Sequence, residues 1–239
     1  MKGGALRTLR ARDRLLVFSP HFDDAVLSCG ELIARHPGAE VLTVFSAAPE
    51  GYPGVTDWDA ACGFQNAQQS IAARVQEDDA ALSLLSARPV RLDFFDSQYQ
   101  ATPTQQALVD RLDQVLKPST ADVVLMPAGL FHSDHILLHQ ALLEVRQRHP
   151  RRRWMLYEDA LYRRIPGLLQ QRMAELCQAG VHVTPMDCTR DEAFFSLKKR
   201  AIACYASQLR GLNAAANGHA DAFLPERYWI LEEGAAVRR

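Results

Sequence analysis

The chain has 239 residues, a length that fits one α/β domain and suffices to bury a sizeable core. Its 27 basic and 28 acidic residues give a net charge of −1, which argues against a nucleic-acid or anionic-membrane partner. No run of about 18 apolar residues occurs, so the sequence predicts no membrane span.

Cysteine usage and the N-terminal residues bear on the cellular compartment. The five cysteines are odd in number and include no C-x-x-C pair, which disfavours a disulfide framework. Residues 1–14 lack the apolar segment of a signal peptide. We therefore predict a cytoplasmic protein, and a homo-oligomer is compatible with the sequence.

Short apolar runs alternate with amphipathic stretches along the chain. The first run, 15–19, predicts a buried strand, and a helix follows over 24–35. Further strands are predicted over 41–45, 90–95, 121–126, 153–157 and near 228–231. Further helices are predicted over 65–85, 105–116 and 133–148, with at least two more after residue 168. The segment 47–63 contains prolines and glycines and is predicted as a long loop.

Strands that alternate with helices predict an α/β fold, a mostly parallel sheet with helices on both faces. We expect a single domain over 1–239, with its core at about 14–210 and a C-terminal extension at 211–239. Ligands of such sheets bind beyond the carboxyl ends of the strands. Polar clusters that directly follow predicted strands are therefore candidates for the functional site.

The first such cluster is Ser19-Pro20-His21-Phe22-Asp23-Asp24, directly after the first strand. His21 and Asp24 are three residues apart across a strand-to-helix turn, so their side chains can converge on one ion. Asp23 would then point elsewhere, and a carboxylate beside an activated water is a natural general base.

The second cluster is His132-Ser133-Asp134-His135, at the start of a later helix. Catalytic zinc sites use three nitrogen or oxygen ligands and keep one position open. Two ligands would come from the first cluster, and His135 is well placed to be the third. His139, one turn deeper into the same helix, is predicted to be structural.

Each cluster has a simpler explanation when taken alone. Asp23 or Asp24 can cap a helix by accepting N–H groups of its first turn. A His-x-x-His pattern is often only a polar helix start. Because both clusters follow predicted strands, we favour the metal site.

Together these residues resemble the LmbE-like, or PIG-L, family of zinc-dependent N-deacetylases, which carries (A/P)-H-P-D-D and H-x-x-H motifs. The resemblance covers roughly residues 14–210 and implies a Rossmann-like fold. It implies Zn²⁺, or another divalent ion, held by His21, Asp24 and His135, with Asp23 as general base. The implied reaction is removal of an N-acetyl group from a small-molecule amino-sugar conjugate.

The resemblance also implies that His132 stabilises the developing oxyanion and that Asp134 orients His132. We expect His132 to be protonated in this role, because the negative charge of Asp134 favours the imidazolium. A bell-shaped pH–rate profile would follow, with Asp23 setting the acidic limb and His132 the basic limb.

Four further residues are predicted to bind substrate. Arg74, in an R-x-x-E pattern with Glu77, and Asp96 resemble family residues that contact the sugar. Glu158 and Asp159 follow a predicted strand within a Tyr-Glu-Asp-Ala segment that recurs in a bacterial branch of the family. The alternatives are a helix-surface ion pair between Arg74 and Glu77, and a turn that begins at Asp96.

The chain departs from the family pattern at four positions, one of which is Leu161, where proline often follows the Tyr-Glu-Asp-Ala segment. Phe22 replaces the usual proline and Ala25 the usual acidic residue, and neither change removes a ligand. Leu130 stands where some members place a tyrosine that assists the oxyanion. Trp58, in the predicted long loop, would either stack on a sugar ring or cover the core.

Two other functions are compatible with the predicted fold. A metallophosphoesterase would also use His and Asp, although such sites usually hold two metals and need more ligands. A non-catalytic sugar-nucleotide binding module would use the same sheet, but the first strand-to-helix turn lacks a G-x-G-x-x-G fingerprint. Metal content separates these alternatives.

Overall fold

The computed structural model of the protein describes residues 9–215 and 218–233. A single seven-stranded sheet has the order β3-β2-β1-β4-β5-β7-β6. Its strands are β1 (Leu15–Ser19), β2 (Glu40–Thr43), β3 (Arg88–Arg91), β4 (Val123–Pro127), β5 (Arg153–Tyr157), β6 (Val181–Met186) and β7 (Tyr228–Glu233).

Strands β1 to β5 pair in parallel, whereas β7 runs antiparallel to both of its neighbours, β5 and β6. Near the middle of the sheet, Val17 of β1 is in register with Val41 of β2 and Leu125 of β4. Every residue of β1 and β4 is buried, as expected for strands that are covered on both faces.

The helices are α1 (Asp24–Ala34), α2 (Asp57–Ala61), α3 (Ala67–Leu84), α4 (Gln105–Leu116), α5 (Ser133–Arg148), α6 (Leu168–Gln178), α7 (Glu192–Ile202) and α8 (Ala206–Ala214). Leu15 and Val17 of β1 pack into one core with α1, α3 and α7. Leu16 and Phe18 face the opposite core, against α4, α5 and α6. The predicted α/β class, a mostly parallel sheet with helices on both faces, is confirmed.

Predicted and observed elements agree best where capping residues bound a strong apolar pattern. Helices α4 and α5 and strand β5 have the predicted bounds, and Thr104 caps α4 by accepting the Ala107 N–H at 3.2 Å. The predicted strand 90–95 is wrong in its bounds. Strand β3 ends at Arg91, and beyond it Asp93 and Phe95 make only isolated bridges.

Two elements had no counterpart among the predictions. The predicted loop 47–63 contains helix α2, which Thr56 caps by accepting the Asp59 N–H. Edge strand β6 was not predicted, and its side chains are all exposed or half-buried. Its Pro185 is a residue that sheets tolerate at their edges. Within the described ranges, no helix is long and apolar enough to cross a membrane.

Candidate metal centre and substrate cavity

The candidate site lies at the carboxyl ends of β1, β4 and β5, where the topology brings distant segments together. The turn after β1 is fastened by the hydroxyl of Ser19, which accepts the Ala25 N–H at 2.9 Å and donates to the His21 carbonyl at 2.5 Å. These bonds hold His21 and Asp24 on the same side of the turn.

Asp24 Oδ2 is the atom on which the two clusters converge. It lies 3.1 Å from His21 Nδ1 and 3.1 Å from His135 Nε2, and it accepts the His21 backbone N–H at 2.8 Å. All three side chains are buried. The three residues predicted to hold the metal are therefore adjacent in space, although His135 is 111 positions beyond Asp24 (135 minus 24).

These side chains fit a divalent metal ion. His135 Nε2 is buried, and its 3.1 Å approach to Asp24 Oδ2 is an ion-pair contact that lacks hydrogen-bond geometry. Ligand atoms of His21, His132 and His135 all lie within 4.8 Å of one another, as do those of His21, Asp96 and Asp134. Imidazole and carboxylate groups at this density are the ligand types of catalytic metal sites.

Asp159 supports His135 from behind. Its Oδ1 lies 2.8 Å from His135 Nδ1, and its Oδ2 accepts the Leu130 N–H at 3.0 Å. A carboxylate that binds the far nitrogen of a metal-ligating histidine fixes the tautomer and the ring orientation. Asp159 was predicted to bind substrate, but it does not line the cavity.

Asp134 contacts His21 more closely than His132. Asp134 Oδ2 is 3.0 Å from His21 Nε2 and accepts the Ser97 N–H at 3.0 Å, whereas it is 4.0 Å from His132 Nδ1. The last distance is too long for a hydrogen bond. The side chains of Asp134 and His132 therefore form no hydrogen bond that would support the predicted orienting role of Asp134.

The buried carboxylates dominate the electrostatics of the site. Burial alone would lower the pKa of His135, but Asp24 and Asp159 outweigh it and raise that pKa to about 9. Burial also opposes the ionisation of Asp24, yet His135 and His21 hold the pKa of this carboxyl well below its usual value. The negative field raises the pKa of both His135 and His21, and the same field favours a metal cation. Metal binding would therefore displace protons from these two imidazoles.

Asp23 has the electrostatics of a general base. Burial, followed by the negative charge of Asp24, raises the pKa of Asp23 to about 6. Its side chain lines the cavity and makes no capping bond to α1. The simpler explanation of Asp23 as a helix cap is therefore not supported.

His132 differs from the expectation of a protonated imidazole. Burial, followed by the charges of His21 and His135, lowers the pKa of His132 to about 4. Its Nδ1 also accepts the Asp134 backbone N–H at 3.3 Å, because His132 is the N-cap of α5. Both observations favour a neutral ring with its proton on Nε2, and the expected basic limb from His132 loses its basis.

Arg74 and Asp96 lie together on one wall of the cavity. Arg74 is 2% exposed, and its Nε and Nη1 have no hydrogen-bond partner. Arg74 Nη1 is 3.7 Å from Asp96 Oδ2, and the guanidinium lies over the Phe22 ring. Glu77 instead accepts hydrogen bonds from Ser207, so the alternative of an ion pair between Arg74 and Glu77 is not what the structure contains.

Glu158 lies outside the cavity. Its carboxylate is 2.7 Å from Arg163 Nε and 3.5 Å from Arg227 Nη1. His139 is buried one turn into α5, where its Nδ1 lies 2.9 Å from the Pro127 carbonyl oxygen. This arrangement fits the structural role predicted for His139.

The cavity beside the candidate metal ligands His21, Asp24 and His135 has a volume of about 520 Å³. Its lining divides into two sets that are chemically distinct. The first set, which we call the polar wall, is His21, Asp23, Asp24, Arg74, Asp96, Gln98, His132, Arg164 and Gln208. The second set, which we call the apolar wall, is Trp58, Phe131, Leu161, Tyr162, Ile165 and Leu212.

Most of the apolar wall had no signal in the sequence. Leu161, Tyr162 and Ile165 belong to the segment after β5, where no spacing rule selects them. Trp58 does face the cavity, as one of its two predicted roles requires, and its Nε1 donates to Gln208 Oε1 at 3.1 Å. The long separation of these residues along the chain explains why sequence spacing could not group them.

The fold and the site define an α/β protein with a buried His/Asp cluster suited to a metal ion. The sequence profile of the GlcNAc-PI de-N-acetylase family, PIG-L, matches residues 16–146, more than half of the chain. The chain belongs to this family, as the motifs predicted.

A curated relative is 2'-N-acetylparomamine deacetylase from Streptomyces fradiae, 30% identical over 160 residues. That match covers 57% of this chain and 54% of the relative, so it spans about half of the relative's length.

Solved structures extend the likeness over nearly the whole chain. The A40926 pseudoaglycone deacetylase Dbv21 is 26% identical with a TM-score of 0.75, and the match covers 94% of this chain and 99% of that one. A zinc-inhibited form of teicoplanin deacetylase Orf2 is 22% identical with a TM-score of 0.75, covering 93% and 99%, which shows the shared fold. The same fold occurs in GalB, a 4-carboxy-2-hydroxymuconate hydratase from Pseudomonas putida (21%, TM-score 0.60, covering 95% and 99%), so fold alone does not fix the reaction.

Proposed function

We propose that the protein is a zinc-dependent hydrolase that removes the N-acetyl group from an N-acetylated amino-sugar conjugate. The observation that carries the proposal is the convergence of two imidazoles on one carboxylate oxygen. Asp24 Oδ2 is 3.1 Å from His21 Nδ1 and 3.1 Å from His135 Nε2, and the contact with His135 lacks hydrogen-bond geometry. The deacetylases among the relatives support the same reaction class.

His21, Asp24 and His135 would hold the ion through two nitrogens and one oxygen, a ligand set that suits zinc. When bound, such an ion lowers the pKa of a water molecule and polarises an amide carbonyl. The support of His135 by Asp159 would keep its Nε2 directed at the ion.

Asp23 would accept the proton of the attacking water and then pass it to the departing amine. With a pKa of about 6, Asp23 is largely ionised at neutral pH yet basic enough to take a proton. Asp23 lines the cavity one residue before Asp24, a position from which it would reach water bound beside the acyl carbon of an amide substrate.

His132 would stabilise the oxyanion as a neutral donor. Because Nδ1 accepts a backbone N–H, the ring proton resides on Nε2, and the ring lines the cavity. Preorganised donors of this kind commonly contribute on the order of 100-fold or more in rate. His132→Ala should therefore lose about that factor in kcat while keeping its zinc. A variant with full zinc and full rate would refute the role.

Arg74 and Asp96 would bind the sugar ring. A buried guanidinium with two unpartnered nitrogens offers donors to hydroxyl or carbonyl oxygens, and Asp96 offers acceptors beside it. This pairing supports the proposed substrate class, as do the names of two relatives, 2'-N-acetylparomamine deacetylase and A40926 pseudoaglycone deacetylase. We retain the cytoplasm as the predicted compartment, and cell fractionation tests it.

The test combines metal analysis of the purified protein with acetate release from a panel of N-acetylated sugars. We expect about one zinc per chain and acetate release that chelation abolishes and zinc restores. About two metals per chain with hydrolysis of phosphate monoesters would favour a metallophosphoesterase. A protein that purifies without metal and releases no acetate would favour a binding module.

A further inference from the structure

Phe131 is an exposed aromatic residue in a backbone conformation that bulky side chains avoid. It is 63% exposed, although it lines the cavity beside His132. Its φ is +60°, in the left-handed region. The His132 N–H donates to the Leu130 carbonyl oxygen at 2.7 Å, which closes a three-residue turn centred on Phe131. Such γ-turns with positive φ are rare and strained.

The surrounding structure holds this turn in place from both sides. Leu130 is 2% exposed, and its N–H is bound by Asp159, the carboxylate that also supports His135. His132 is fixed as the N-cap of α5. Glycine would occupy the central position without steric cost. Strained residues of this kind concentrate at ligand-binding sites.

Phe131 is the residue of the apolar wall that connects the surroundings of the candidate metal ligands with solvent. The Tyr162 ring packs edge-on against His135 at a centroid distance of 5.3 Å, and the Phe131 ring packs against Tyr162 at 5.4 Å. Ile165 and Leu161 also line the cavity. The ring contacts therefore run from His135, through Tyr162, to the exposed ring of Phe131.

The polar and apolar walls suit different parts of a substrate. Arg74 and Asp96 supply donors and acceptors for sugar hydroxyls, whereas the side chains of Phe131, Leu161 and Ile165 offer none. The acyl carbonyl of a substrate must reach the buried cluster of His21, Asp24 and His135. A substituent that extends from the sugar toward solvent would meet Phe131, which lines the cavity and is exposed.

We propose that Phe131 determines specificity by binding an apolar aglycone attached to the amino sugar. This inference rests on the proposed function and deepens it. The aglycone, rather than a long acyl chain, is assigned to Phe131 because this residue lies at the solvent end of the wall. Contact of an aglycone with the ring would bury an exposed aromatic surface, which is favourable in water.

The test compares methyl and phenyl glycosides of N-acetylglucosamine, in the zinc-loaded wild type and in Phe131→Ala. We expect the wild type to prefer the phenyl glycoside in kcat/KM. Phe131→Ala should lower the phenyl-to-methyl ratio about tenfold, mainly through KM. Leu224→Ala removes another exposed apolar side chain, one that does not line the cavity, and should leave the ratio unchanged.

Two further variants separate the side chain from the backbone strain. Phe131→Gly should show the same loss of preference but melt about 2–4 °C higher than Phe131→Ala, because glycine relieves the positive φ. Phe131→Leu should keep part of the preference. Equal loss for both glycosides in Phe131→Ala would overturn the proposal, because it would assign Phe131 to the positioning of His132.

A final arm varies the acyl group and removes catalysis from the measurement. Phe131→Ala is compared on methyl glycosides that carry an N-hexanoyl or an N-acetyl group. If the variant lowers the hexanoyl-to-acetyl ratio of kcat/KM but not the phenyl-to-methyl ratio, the assignment of Phe131 to the aglycone is overturned. Calorimetry measures the affinity of the wild type and of Phe131→Ala for the phenyl and methyl glycosides, and this measurement does not depend on catalysis. If no acetate is released but the phenyl preference in binding depends on Phe131, the proposed function fails and the specificity proposal stands.

Discussion

The polar and apolar walls of the cavity are built in different ways. The polar wall comes from strand ends and the adjoining helices, and its central side chains are buried and held by several partners, as Asp24 is by His21 and His135. The apolar wall comes mostly from the segment after β5 and from Phe131, and much of it is half-buried or exposed. If the proposed function holds, the polar wall would supply the catalytic groups and the sugar contacts, and the more exposed apolar wall would discriminate among substituents of the sugar.

The largest expected effect comes from the centre of the polar wall. Asp24→Asn keeps the shape of the side chain but removes the charge that draws His21 and His135 together. We expect loss of stoichiometric zinc and a fall in kcat/KM on the order of a thousandfold, since metal polarisation is worth several kcal/mol. Metal analysis and acetate release measure both. Asp122→Asn, at an exposed pair with Arg14, is the control and should change neither.

Asp23→Asn should separate proton transfer from metal binding. We expect kcat to fall about 10²- to 10⁴-fold with zinc retained, because the general base is lost while the ligands remain. In the wild type, activity should rise with pH through about 6, as Asp23 loses its proton, and this acidic limb should disappear from the residual activity of the variant. A variant with an unchanged limb near pH 6 would show that another group sets it.

Asp159 and Glu158 are neighbours in sequence with opposite expected outcomes. Asp159→Asn should weaken zinc affinity about 10- to 100-fold, because one amide cannot accept from both His135 and Leu130. Glu158→Gln should leave zinc affinity and KM unchanged but lower the melting temperature, because it breaks the buried pair with Arg163. Competition with a chelator and thermal melting distinguish the two. Equal zinc affinities in the two variants would contradict the supporting role of Asp159.

The smallest expected effect lies in the apolar wall. Ile165→Ala removes part of an apolar contact surface, so we expect KM for apolar glycosides to rise about threefold, with zinc content and kcat unchanged. Val55→Ala, an exposed residue outside the cavity lining, is the matched control. A fall in kcat without a change in KM would assign Ile165 to catalysis. It would contradict the conclusion that the apolar wall affects only substrate binding.

The sequence by itself determined the elements that carry the polar wall. The apolar run of β1, the Ser-Pro-His-Phe-Asp-Asp turn and the helix start at His132 are local features, fixed by burial patterns and capping over a few residues. Because parallel strands end at one edge of a sheet, these local features also predicted that His21, Asp24 and His135 would meet. Helix α5 has the predicted bounds because its start and end also depend on local sequence features.

Only the tertiary structure decided the rest. The contact of Asp134 with His21, the support of His135 by Asp159 and the exposure of Phe131 depend on where the segments after β4 and β5 pack, and spacing along the chain does not encode that packing. Likewise, β7 lies between β5 and β6 although it comes last in the chain, an order that depends on packing between distant segments. The pKa of His132 follows from burial and neighbouring charges that exist only after folding.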